Sequence, residues 1–173
     1  LTAARSGEVR GTRWSEIDME AKAWSIPADR MKAGRAHRVP LSGRAIGILR
    51  RMTELRRTDD PDAPVFEGQR SGKPLSDMTF TMPIRRAKLG ITVHGFRSAF
   101  RDWCAEATST PREVAEACLA HVVRNTVEAA YARTDYFDKR SAVMDAWALF
   151  DCPLRVGGGT VRGSQILSVQ YVR

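Results

Sequence analysis

The sequence predicts a mainly α domain carrying a small antiparallel β-sheet, an α+β fold, and three features support that expectation. Apolar residues alternate with polar ones in two short runs near 23–27 and 37–41, on either side of a segment containing Gly34; this is the pattern of a β-hairpin. Helix-start signals recur further along, at Ser42 and at Thr110-Pro111-Arg112-Glu113. Phe96, Phe100, Trp103 and Cys104 fall on one stripe of a helical period. The chain has 173 residues, 43% of them hydrophobic and 28% charged, which suits one globular core.

In chain order, residues 1–10 read as the end of a helix stopping near Gly11. The hairpin follows, with Ile17, Trp24, Ile26, Val39 and Leu41 as its apolar positions and Lys32 near the tip of the connection. A helix capped by Ser42 is expected to run to about Arg57. It turns Ile46, Leu49, Met52 and Leu55 inward and Arg50, Arg51, Arg56 and Arg57 outward. After Asp59-Asp60-Pro61-Asp62 and a short apolar pair, Val65-Phe66, comes a polar loop from Gln69 to Pro74. A further helix is expected from Ser76 to about Leu89. The second half is expected to be helical from His94 to about Thr108, from Thr110 to about Leu119, from Asn125 or Thr126 through Tyr131, and from Lys139 to Phe150. Beyond Phe150, the tail with Gly157-Gly158-Gly159 reads as loose, with a short strand at 166–171.

Net charge is +8 and the pI is near 10, a balance that favours a polyanionic partner through counterion release. No apolar run reaches membrane-spanning length and no stretch reads as a signal peptide. Cys104, Cys118 and Cys152 form no C-x-x-C pair, so neither a zinc site nor a disulfide framework is indicated; Cys104 and Cys118 read as small core residues and the setting as reducing and cytoplasmic. The start at Leu1, helical and uncapped, is expected to be that of a fragment whose upstream part is missing.

Four local patterns hold chemistry-bearing residues. They are Ala4-Arg5-Ser6-Gly7-Glu8, Met31-Lys32-Ala33-Gly34, His94-Gly95-Phe96-Arg97, and Leu119-Ala120-His121 followed ten residues later by Tyr131 within Ala130-Tyr131-Ala132-Arg133. Each has an ordinary reading by itself: an i,i+3 surface pair, a solvated lysine, a helix-start histidine, a structural histidine, a half-buried tyrosine. Together, in this order and spacing, they resemble the catalytic domain of the tyrosine recombinases, the phage integrase family, and most of all the integrases of prophages and genomic islands. The resemblance covers residues 1–150 and leaves the tail, 151–173, unmatched; that tail is expected to be flexible or to contact a neighbouring protomer.

The resemblance implies site-specific DNA recombination, with strand cleavage and rejoining through a 3′-phosphotyrosine and no need for a cofactor, metal or ATP. Tyr131 would be the nucleophile, Arg5 and Arg97 the clamp on the phosphate, His94 and His121 acid–base or phosphate-binding groups, Lys32 the acid for the leaving 5′-oxygen and Glu8 the support of Arg5. The residue types suit the task. Guanidinium forks match the non-bridging oxygens and stay charged, and a phenol must lose its proton as it attacks. Tyr136 is the competing tyrosine, but five residues on it would point about 140° away on a continuous helix. His37 is expected to meet DNA backbone or solvent. Partners implied are double-stranded DNA attachment sites and, in the full-length protein, three further copies in a tetramer, without membrane and in the nucleoid-associated cytoplasm. The alternatives are relaxation of supercoils, as by type IB topoisomerases, and a catalytically silent DNA-binding fragment.

Overall fold

The computed structural model describes residues 1–86, 88, 90–121, 135–150, 154–156 and 159–161. The expected helix at 125–131, Tyr131 itself, Cys152 and the expected strand at 166–171 lie outside them.

A short helix α1 (Ser6–Arg10) leads through a 3₁₀ turn to a three-stranded antiparallel sheet, β1 (Ile17–Asp18), β2 (Ala23–Ile26) and β3 (His37–Pro40), in the order β1-β2-β3. Trp24 pairs with Ile17 on one side and Val39 on the other. Strand β1 is an addition to the expected hairpin; two residues are too short to show a period. Helix α2 (Gly43–Glu54) starts where the Ser42 hydroxyl accepts from the Ala45 N–H. Its buried face is Ala45, Ile46 and Leu49, packed on Trp24, Ile26, Val39 and Val65. The helix ends at Glu54, three residues earlier than expected, and Leu55 is exposed beyond it.

Helix α3 (Thr81–Arg86) starts five residues later than expected. Pro83 accounts for this, because a helix begun at Ser76 would need the N–H that proline lacks, whereas a start at Thr81 puts it in the first turn. Helices α4 (Gly95–Ala107), α5 (Arg112–Cys118) and α6 (Phe137–Phe150) form the second layer. Pro111, not Thr110, is the N-cap of α5; its carbonyl accepts from the Val114 and Ala115 N–H groups, while the Thr110 hydroxyl accepts from Thr108. Phe100, Trp103, Cys104, Cys118, Leu119, Met144 and Trp147 make the helical core. Phe100 meets Trp147 edge-on at 5.4 Å between centroids. Burial pushes the Cys104 thiol up to about 11 and the Cys118 thiol up to about 12, so both are inert core residues. The tail is not wholly irregular: β4 (Leu154–Val156) and β5 (Gly159–Val161) pair antiparallel.

The two cores meet along a seam. Arg140 donates to the Arg38 carbonyl from α6 to β3, the Gly43 N–H donates to Asp145, and Ala3 packs on the helical core while Ala120 packs on the sheet core. Arg5, Glu8, Arg97 and His121, among the residues singled out by sequence, lie near this seam; Lys32 does not.

Candidate active site

Residues 1–4 are not helical as expected. The helix begins after Arg5, its N-cap, and Glu8 at the third helical position accepts both the Arg5 backbone N–H and Nη1, each at 2.7 Å. This is the reaching-back half of a capping box, made by a buried carboxylate. It fixes Arg5 through backbone and guanidinium at once. Ala3, just upstream, takes the left-handed conformation (φ 49°), which a side chain disfavours; its carbonyl accepts from Arg97 Nη1.

Arg97 is 7% exposed, while Phe96 beside it is 47% exposed. The expected stripe is therefore inverted at its first turn, where the helical core gives way to the seam. Arg97 also donates to the Leu119 carbonyl at 2.7 Å, and its Nη2 lies 3.4 Å from His121 Nε2. One guanidinium thus joins the N-terminal run, α4 and the end of α5. Burial first, then the Arg5 charge, lowers its pKa, with Glu8 opposing. Two guanidinium groups near one carboxylate leave a positive excess that suits an anion.

His94 stands at the N-cap of α4, exposed, without a capping hydrogen bond from its side chain. It shares with Arg5 and Arg97 the wall of a largely apolar cavity of about 720 Å³. Helix α5 ends in a Schellman turn: the His121 N–H donates to the Glu116 carbonyl at 3.1 Å and the Ala120 N–H to that of Ala117 at 3.2 Å, with Ala120 left-handed (φ 50°). The turn brings the His121 ring back over Glu116, whose carboxylate contacts Nδ1.

Lys32 occupies a tight turn closed by the Gly34 N–H on the Met31 carbonyl at 2.9 Å, where Gly34 supplies φ 63°. Met31 is buried and Lys32 exposed, so the turn is anchored from below and presents the ammonium outward. The turn's base is held by Arg30, which pairs with Glu16 and donates to the Glu8 carbonyl at 2.7 Å. Lys32 itself shares no hydrogen bond, ion pair or cavity wall with the arginines among the described residues. Arg5, Glu8, His94, Arg97 and His121 are brought together; Tyr131 lies outside the described residues.

His37 departs from expectation. It is half-buried on β3, and burial first, then the Arg140 charge, with a smaller push from Arg97, holds its pKa at about 4 against the pull of Glu8 and Asp135. Folding therefore favours the neutral form of a ring that keeps part of its surface in solvent. Sequence reasoning also passed over Arg30, Arg101, Glu116 and Arg140. Only Glu116 left a trace, an acid five residues before His121 at a helix end.

The family model described as the phage integrase family matches residues 1–137. The chain belongs to the phage integrase family. Its α+β fold is that of the tyrosine recombinase catalytic domain. This integrase-family chain is 39% identical over 151 residues to the prophage integrase IntA of Escherichia coli (strain K12), covering 86% of the chain and 36% of that protein. It is 32% identical over 166 residues to the integrase of Enterobacteria phage P4 (86% and 37%) and 31% identical over 150 residues to the integrase of Shigella phage Sf6 (85% and 38%). The chain thus spans less than two fifths of the length of these relatives. No solved structure matches it significantly. Among the described residues no helix is long and apolar enough to cross a membrane.

Proposed function

We propose that this chain is the catalytic domain, over residues 1–150, of a site-specific DNA recombinase that integrates or excises a mobile element. The observation that carries the reading is the convergence of Arg5, Arg97 and His121, with His94 on the same cavity wall, in an integrase-family chain. A phosphodiester placed on this cluster meets two fixed donor forks, which favour the charge that builds on its non-bridging oxygens.

The Tyr131 oxygen forms a bond to phosphorus and the bond from phosphorus to the 5′-oxygen breaks. The phenolic proton leaves to a base, for which His94 and His121 are the candidates, and Lys32 gives its proton to the departing 5′-oxygen. Glu8 keeps Arg5 in register. The 3′-phosphotyrosine conserves the bond, so a 5′-hydroxyl of a second duplex reverses the step without metal or ATP. The partners are double-stranded attachment sites and, in the full-length protein, a homotetramer that brings two duplexes together in the cytoplasm, on the nucleoid.

A nicked suicide substrate tests the assignment, because loss of the short leaving strand traps the covalent adduct. The full-length parent protein is expected to form it, and Tyr131→Phe to form none while retaining DNA binding within about twofold. An adduct with the Phe variant would remove Tyr131 as nucleophile.

A further inference from the structure

We propose that Glu116 is a positioning residue that acts through His121, holding the imidazole so that its Nε2 faces the phosphate site beside Arg97. The inference rests on the function proposed above and extends it by a residue outside the set Arg5, Lys32, His94, Arg97, His121 and Tyr131.

The geometry is specific. Glu116 holds His121 at two points: its backbone carbonyl takes the His121 N–H in the Schellman turn, and its Oε2 contacts Nδ1. With Nδ1 committed to the carboxylate, the ring keeps Nε2 for the other side, and Nε2 is the atom that lies 3.4 Å from Arg97 Nη2. The remaining carboxylate oxygen, Oε1, forms an ion pair with Arg101, 3.1 Å from its Nε. Arg101 stands one turn beyond Arg97 on α4. So α4 supplies Arg97 to the substrate side of His121 and Arg101 to the rear of Glu116, and α5 supplies the carboxylate between them.

A carboxylate behind a catalytic imidazole fixes its tautomer and orientation, and the Glu116 contact on Nδ1 places it to do so here. The contrary reading makes Glu116 and Arg101 an interhelical ion pair at the surface, with His121 merely adjacent. The two readings differ in whether the effect of Glu116 passes through the imidazole.

The test is a double-mutant cycle in the full-length parent protein. Rates of covalent attachment to the nicked suicide substrate are measured for the parent, Glu116→Gln, His121→Asn and the double variant, with thermal midpoint and DNA affinity measured for each. Glu116→Gln is expected to slow attachment about 10- to 100-fold, with affinity nearly unchanged. In the His121→Asn background the same change is expected to slow attachment less than about twofold, because there is no ring left to position. Equal slowing in both backgrounds would overturn the inference, as would an unaffected rate in Glu116→Gln. An Arg101→Gln variant guards against misfolding of the Glu116 variant: a partial loss of attachment rate, also erased by His121→Asn, supports the relay, and a loss that persists in that background overturns it. A parent protein that forms no adduct fails differently, since it removes the proposed function and this inference with it.

Discussion

His37 shows how one side chain reports the chemistry of its surroundings. On sequence it stands between Arg35 and Arg38 and reads as a group meeting DNA backbone or solvent. The strand pairing sets it opposite Ile26, and the ring is half-buried near Arg140, Arg97, Glu8 and Asp135. Folding therefore favours the neutral ring, with a pKa of about 4 where the free side chain has 6.5. Between those values the unfolded chain binds the extra proton and the folded one does not, so this residue's share of stability is complete above about pH 6.5 and is lost as pH falls towards 4. Thermal or urea unfolding at pH 7.5 and at pH 4.5 should show the parent losing more stability than His37→Gln, by on the order of 2 kcal/mol. Equal losses would place His37 in solvent. The candidate residues Arg5, Glu8, His94, Arg97 and His121, which the structure brings together, could be picked out in the sequence because guanidinium and imidazole groups have few substitutes at an anionic centre. The burial of Arg97 and the protonation of His37 could not, since both depend on which elements close over them.

At the scale of elements, the hairpin was readable because strand alternation and Gly34 act locally, and α2 because Ser42 satisfies its first turn. What escaped were the joints. Arg140 on α6 is 1% exposed and has a sequence context like that of any helical arginine. Its Nε donates to the Asp135 carbonyl at 2.7 Å, Nη1 to the Arg38 carbonyl at 2.7 Å, and Nη2 to the Asp135 carboxylate at 2.9 Å. The Arg38 guanidinium in turn lies 3.7 Å from the centroid of the Phe137 ring. The residue thus closes the turn that enters α6 and ties it to β3, the strand that follows the Lys32 turn. Such a contact spans 102 positions and leaves no local periodicity. Arg140→Met keeps the length and removes every donor. It should cost about 2–4 kcal/mol, with carbonyl groups left unpaired in a buried place, seen as a lower urea midpoint at unchanged slope. Arg140→Lys should recover less than half of that, because an ammonium cannot reproduce a planar fork reaching two segments. Full recovery by lysine would reduce the residue to its charge.

For the whole molecule, the sheet core and the helical core supply the apolar burial, and the basic excess lies outside both. Arg44, Arg50, Arg51, Arg85 and Arg86 are exposed, whereas the buried charged side chains among the described residues, Glu8, Glu16, Arg97 and Arg140, all take part in hydrogen bonds or ion pairs. Those five exposed arginines are therefore available to a polyanionic partner. Partition of this kind makes binding and folding respond differently to salt. If about four or five backbone phosphates are neutralised, affinity for a duplex should fall about 100- to 500-fold between 50 and 200 mM salt, linearly on logarithmic axes. The unfolding midpoint over the same range should move little, because the buried ion pairs are poorly screened. Fluorescence anisotropy with a labelled duplex, run beside thermal unfolding at each salt concentration, measures both. A flat binding curve would argue against contact through phosphates. A steep fall in the unfolding midpoint would mean that the surface charges also hold the two halves together across the seam.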